Sequence, residues 1–244
     1  MFMLFHFPIM RLTIPMSKTV PNILAQRYSS EVICDLWSES GRIVLEREFW
    51  LAVLKAQNDL GLPVPSEAIA AYERVKGRVD LESIARREAM SRHDVKARIE
   101  EFCALAGHEH IHKGMTSRDL TDNVEQYQIL KSLQVIQVKY VALLLRLGQR
   151  ALQWKDLALA GRTHYAAAQP TTLGKRMAMF GEEMLGAFHR LGTLVESYPL
   201  RGLKGAVGTA LDQYTLLDGN LERLEKLQAQ VRHHLGFQRE LGAV

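Results

Sequence analysis

The sequence predicts an all-α protein, built as a small N-terminal helical domain followed by part of an elongated long-helix bundle. Three observations carry that expectation. Apolar residues recur at steps of three and four through most of the chain. Two of the periodic segments run far past the usual three turns of a globular helix. No segment shows sustained apolar–polar alternation bounded by turn residues, so no sheet is expected.

Composition sets the outer limits. The 244 residues suffice for one large domain, or a large and a small one, with a substantial core. An apolar fraction of 47% with 24% charged residues is ordinary for a globular protein in water. The net charge of +4 is a mild excess, far from the dense basic runs of a nucleic-acid binder. It suits a solvated surface, and it is compatible with a small anionic substrate. Cys34 and Cys103 match no metal spacing and form no framework, so a reducing cytoplasm is the expected location.

Residues 1–22 are expected to be an unstructured extension. Met1 to Met10 is an apolar run interrupted by Pro8, too short to span a bilayer. It lacks the charged start and small-residue cleavage site of a secretory signal, and a natural start near Met16-Ser17-Lys18 is expected. The N-terminal helical domain then covers 23–117. Glu46 to Leu60 sets Phe49, Val53, Ala56 and Leu60 on one face, with Gly61 as the stop. Pro65-Ser66-Glu67 starts a second helix, and Asp94 to Ala106 forms another with Asp94 placed to cap it.

The bundle part covers 118–244. Asp119 to Trp154 carries Leu120, Val124, Tyr127, Leu130, Leu133, Ile136, Tyr140, Leu143, Leu147 and Ala151 in one stripe. Thr172 to Ser197 carries Leu173, Met177, Phe180, Met184, Phe188, Leu191 and Val195, and Asn220 to Leu235 carries Leu221, Leu224, Leu227 and Val231. At ~1.5 Å per residue the first two reach roughly 40 to 50 Å. Long helices with one apolar stripe each need one another. Three do not close a bundle, and Leu241-Gly242-Ala243-Val244 reads as a cut, so the bundle is expected to be partial.

The most informative stretch is Gly161 to Arg176, where His164 precedes Gln169-Pro170-Thr171-Thr172. Proline stops one element and a threonine can cap the next helix, which sets His164 on irregular backbone at the mouth of that helix. Upstream, His112-Lys113-Gly114-Met115-Thr116-Ser117-Arg118-Asp119 forms another glycine- and hydroxyl-rich turn that opens a helix.

Gly161-Arg162-Thr163-His164 with Gln169-Pro170-Thr171-Thr172-Leu173-Gly174-Lys175 resembles the second signature region of the fumarase/aspartase superfamily, and the 112–119 turn resembles its first. Arg27-Tyr28-Ser29-Ser30, Arg92-His93-Asp94-Val95 and Lys204-Gly205-Ala206-Val207-Gly208-Thr209 narrow the resemblance to the adenylosuccinate lyase family, from about Arg27 to the last residue.

That resemblance implies a β-elimination that breaks a C–N bond. Fumarate leaves adenylosuccinate to give AMP, or leaves the related succinyl-aminoimidazole carboxamide ribotide. The chemistry asks for a base at the Cβ proton, an acid at the departing nitrogen, and donors for the carboxylate that gains charge. On this reading His164 is the general acid and His93 a second catalytic histidine, each against the plain alternative of a turn or helix-start residue. Thr116 and Ser117 bind an anionic group at a helix N-terminus, or merely cap it. Arg27 and Tyr28 hold the nucleotide phosphate, and Arg92 and Asp94 line the substrate. No cofactor or metal is implied; His108, His110 and His112 alternate but are read as no metal set. The 204–209 stretch lacks the ending of a P-loop and is assigned no chemistry.

The resemblance further implies a homotetramer whose sites are shared between subunits, acting on a small purine nucleotide, with no nucleic-acid or membrane partner. The family's third signature, a loop of the form Ser-Ser-x-Met-Pro-x-Lys-x-Asn-Pro that supplies the serine base, does not occur in these residues. The expectation is therefore an N-terminal portion that is inactive alone. The alternatives are a carboxymuconate cycloisomerase-type member of the superfamily and a non-catalytic helical scaffold.

Overall fold

A computed structural model describes residues 22–242. The expected extension over 1–22 thus lies outside the described residues, except for Asn22. The Asn22 side chain accepts the N–H groups of Leu24 and Ala25 and so starts α1 (Ile23–Tyr28). Then follow α2 (Glu31–Trp37), α3 (Glu39–Asp59), α4 (Ser66–Val75), α5 (Leu81–Ser91) and α6 (Asp94–Ala106). The long pair α7 (Ser117–Gln153) and α8 (Leu173–Ser197) comes next, and α9 (Leu211–Leu216) and α10 (Leu221–His234) complete the helices. The class is helical, as the periodicity predicts.

Among the described residues four short strands correct the expectation of no sheet. β1 (Ala158–Thr163) and β2 (Ala166–Thr172) form an antiparallel hairpin, and β3 (Pro199–Leu200) pairs in parallel with β4 (Arg239–Glu240). The hairpin escaped the sequence reading because every residue of its two strands is at least partly open to solvent, so no apolar alternation marks it.

α3 is the axis of the core. It begins seven residues before the expected Glu46, because the Ser38 hydroxyl accepts the Gly41 N–H and caps it there. It is also buried on almost every side rather than along one stripe. Phe49 and Ala56 are 0% exposed, and Ile43, Leu45, Trp50, Leu51 and Leu54 are buried with them. α2, α4, α7 and α10 surround it. The amphipathic stripe of α10 (Leu224, Leu227, Val231) therefore packs along α3, not into the long-helix pair that the sequence reading gave it.

A buried arginine stitches α3 to its neighbours. Arg47 is 0% exposed; its Nη1 donates to the carbonyls of Val75, Lys76 and Arg78, and its Nη2 pairs with Glu101. Glu101 also accepts the Asp80 N–H, so one ion pair seals the turn between α4 and α5 against α6.

α7 and α8 run antiparallel. Tyr140 meets Phe188 at a ring separation of 6.5 Å, and a side chain at Gly192 would touch Gln137. At the far end Gly174 has no room for a side chain, since a Cβ there would lie 2.3 Å from the Ala151 carbonyl. By length and composition alone α7 could cross a membrane. Lys131, Lys139 and Arg146 lie along the same helix, and α8 packs against part of it. Ile136, Val141, Leu145, Leu152, Met179, Phe180 and Leu185 remain exposed along the pair.

Replacing Arg47 by Met strands Glu101 and three carbonyls in the interior. The expected cost is about 3–5 kcal/mol in urea denaturation; a loss within ~0.5 kcal/mol, as for a surface site, would show that water repairs the gap.

Candidate active site

The turn from His112 to Ser117 is held from below by buried amides. Gln57 Nε2 donates to the Lys113 carbonyl at 3.1 Å, and Gln213 Nε2 donates to Lys113 and Gly114 at 3.0 and 2.8 Å. Gly114 sits at φ +68° with Gln213 pressed against the place where a Cβ would stand. Thr116 is the N-cap of α7, and its N–H donates to Asp119 Oδ2 at 3.0 Å. That leaves the side chains of Thr116 and Ser117 half-buried at a helix N-terminus, where free N–H groups favour an anion.

Asp119 is the residue the sequence reading undervalued. It is fully buried, and its Oδ1 accepts from Arg201 Nη1, the Lys204 N–H and the Gly205 N–H at 2.9, 2.9 and 3.0 Å. The 204–209 stretch, assigned no chemistry from sequence, is thereby fastened beside the start of α7. Lys204 and Gly205 are buried, and 206–209 project, with Val207 81% exposed.

His112 joins the same corner. Its backbone is left-handed at φ +66°, and Trp50 Nε1 donates to its Nδ1 at 2.9 Å. The neutral ring then carries its proton on Nε2. Burial, reinforced by the positive charge of His93 and opposed by Asp119, pushes its pKa down to about 4. Sequence reasoning put His112 at the head of the 112–119 signature turn, rejected it as a metal ligand and gave it no other role; its place in that turn was the available signal.

His93 lies within electrostatic reach of His112. It, not Asp94, is the N-cap of α6: its Nδ1 accepts the Lys96 N–H at 3.3 Å, and Asp94 is the first helical residue. Arg92 precedes it in the left-handed region at φ +52°, with its side chain exposed. Asp94 pairs with Arg98 at 2.9 Å. Burial raises the Asp94 carboxyl, but the Val95 N–H and Arg98 outweigh it and hold it below the ordinary range.

His164 is elsewhere. It and Tyr165 form the two-residue tip of the β1–β2 hairpin, at φ +47° and +65°, with Thr163 paired to Ala166. Expected at the mouth of α8, it is instead a whole strand away from it. A two-residue turn with both φ positive is a type I′ turn that usually takes Asn-Gly. Two bulky residues there are strained, at a cost of order 1–3 kcal/mol each, and such strain concentrates at functional sites. Arg162 Nη1 braces the tip by donating to the Tyr165 carbonyl at 3.1 Å. His164 is exposed and Tyr165 is 95% exposed.

The structure thus gathers His93, Asp94, His112, Thr116 and Ser117 at one end of α7 and places His164 beyond the other. The 37 residues of α7 put roughly 55 Å between those ends. Arg27 and Tyr28 are a third, separate group. They are exposed on α1, and the adjoining α2 is tied to α7 by Gln128 Nε2 donating to the Leu36 carbonyl, about three turns past Ser117.

The sequence pattern of a protein family described as lyase matches residues 25–234. The chain belongs to that family. It is 34% identical over 222 residues to adenylosuccinate lyase of Saccharomyces cerevisiae, an overlap of 88% of this chain and 45% of the relative. With adenylosuccinate lyase of Archaeoglobus fulgidus it shares 32% over 183 residues, covering 75% and 41%. Two solved structures share the fold. One is 3-carboxy-cis,cis-muconate lactonizing enzyme from Pseudomonas putida, with TM-score 0.73, 22% identity, and 91% and 50% coverage. The other is fumarate lyase from Mesorhizobium sp. BNC1, with TM-score 0.69, 23% identity, and 86% and 49% coverage. The chain spans about half the length of the relatives it matches.

His112 makes a pH prediction. As pH falls below the ordinary 6.5, the unfolded chain takes up the proton while the folded ring, at about 4, stays neutral. Stability present above pH ~6.5 is therefore lost progressively down to about pH 4. The loss is bounded by about 3 kcal/mol, and is smaller because part of the ring meets solvent. His112→Gln keeps an acceptor for Trp50 and is expected to flatten the slope of urea midpoint against pH over that window. An unchanged slope would assign the effect to other groups.

Proposed function

We propose that this chain carries the acid-side and anion-binding parts of a C–N lyase of the adenylosuccinate lyase type, which releases fumarate from a purine nucleotide by β-elimination. The observation that carries the reading is the separation of the two histidine groups along α7. His164 on its exposed, strained tip is built to be reached, yet nothing from its own chain's His93–Ser117 corner can reach it. A second copy lying antiparallel along the exposed stripe of α7 and α8 brings one chain's tip to the other's corner. A cytoplasmic homotetramer with shared sites fits that need.

In such a site His164 donates the proton to the departing nitrogen, an imidazole being able to give one up near neutrality. Thr116, Ser117 and the first N–H groups of α7 take an anionic group, with His93 and Arg92 beside them. Arg27 and Tyr28 hold the phosphate from a further surface. The base that removes the Cβ proton is not supplied by these residues, and the 244 residues expressed alone are expected not to turn substrate over.

Three measurements test this in the full-length enzyme. His164→Ala is expected to cut turnover by about 100-fold or more, as general acid catalysis is typically worth ~10²–10⁴. Ser117→Ala is expected to weaken substrate binding by about 1–3 kcal/mol by calorimetry. Mixed subunits of the His164→Ala and His93→Ala variants, each inactive alone, are expected to regain activity, since some sites then combine two intact halves. Near-normal turnover of His164→Ala, or mixtures as dead as their parents, would overturn the shared-site reading. Lactonisation of carboxymuconate without fumarate release would replace it by the cycloisomerase alternative.

A further inference from the structure

Beneath His93 lies a buried charge pair that the proposed chemistry does not use. Glu46 on α3 and Arg98 on α6 have side chains only 1% and 5% exposed. Arg98 Nε stands 2.7 Å from Glu46 Oε2, with its N–H not aimed at that oxygen, so the contact is an ion pair rather than a hydrogen bond. One turn back on α6, Asp94 Oδ2 accepts a hydrogen bond from Arg98 Nη2 at 2.9 Å. The other carboxylate oxygen, Asp94 Oδ1, lies 3.6 Å from His93 Nδ1.

A surface pair of Asp and Arg one turn apart does little, because the arginine is free to leave. Arg98 is not free. Its departure would strand Glu46, whose carboxyl is pushed up by burial even with Arg98 and Arg42 opposing. The guanidinium is fixed from behind and so fixes Asp94 in front of it.

We infer that Glu46 and Arg98 are positioning residues for His93, acting through Asp94: the buried pair clamps Oδ2 and keeps Oδ1 beside the imidazole. The inference rests on the reading of His93 as a site histidine. The Lys96 N–H donates to the Nδ1 lone pair of the neutral ring, which leaves the proton on Nε2. When the ring takes a second proton Nδ1 becomes a donor, the Asp94 carboxylate 3.6 Å away is its partner, and Nε2 is the ring nitrogen left for a ligand. His93 is half-exposed, with its side chain at 50%, and without this support its ring would share the freedom of any surface histidine.

Arg98→Met alone strands Glu46 and is expected to fold poorly, so the test uses Glu46→Gln with Arg98→Met, which leaves the interior neutral. In the full-length enzyme this double variant is expected to melt near the wild type, to keep its KM, and to lose kcat about ten-fold. Asp94→Asn is expected to lose the same, and the triple variant no more than either, because the three act through one contact. The ring ¹⁵N resonances of His93 should move alike in the double variant and in Asp94→Asn, and no further in the triple. Additive losses, or His93 resonances that stay put in the double variant, would overturn the inference. Absence of fumarate release from the wild type would instead sink the lyase reading, while the resonances still decide the coupling.

Discussion

The carboxylate of Asp119 is the contact on which the arrangement of the molecule depends. It is wholly buried, and it is tolerable there because four N–H donors converge on it, from Thr116, Arg201, Lys204 and Gly205. One turn on, Asn123 continues the seam, accepting the Gly202 N–H and donating to the Gly202 carbonyl. Lys204 then reaches Glu240 with its ammonium at 2.6 Å. The start of α7, the return of the chain after α8 and the β3–β4 pair are thereby one rigid corner. The half-buried Thr116 and Ser117 ride on it, and a mobile turn could not keep their donors aimed at a charge.

Rigidity at that corner has a consequence at the other end of α7. A helix fixed at its start by Asp119 and braced along its length by α8 acts as a strut, and the hairpin at its end is carried at a set distance. Gly174 completes the strut: with no side chain it lets the first turn of α8 touch the last turn of α7, so that β1 and β2 leave from a closed joint. His164 is held far from its own chain's anion corner by construction, and its positive φ is maintained by a hairpin whose pairing runs from Ala158–Thr172 to Thr163–Ala166.

Much of this was legible in the sequence, and what was not has definite physical reasons. The bounds of α6, α7 and α8 lie within about two residues of the periodicity, because caps and stripes are local and strong. Periodicity says which face of a helix is buried but not against what, which is how α10 came to be assigned to the long helices although it lies on α3. The hairpin carries no inside and no outside, so the signal that reveals strands was missing. From sequence Asp119 is only the start of the long helix, and its one local donor is the Thr116 N–H. Its other three donors come from residues more than eighty positions away, and no spacing announces them. His93 illustrates the reverse: the motif around it was legible, but that it caps α6 in place of Asp94 was visible only from the geometry.

On the proposed reading the exposed apolar residues of α7 and α8 and the exposed tip at His164 have a common cause. Single apolar residues on a surface mean little, but Ile136, Val141, Leu145, Met179, Phe180 and Leu185 are all exposed on two adjoining helices, and that much apolar surface on one helix pair favours association. An antiparallel neighbour is the geometry in which a strut with functional groups at both ends is useful, since it pairs each end with its complement. On the proposed reading the same apolar contact that covers the stripe also sets the distance between one chain's His164 and the other's Ser117. Assembly and catalysis would then share one surface, and a substitution in the stripe far from either histidine would be felt in turnover before it was felt in the fold of the single chain.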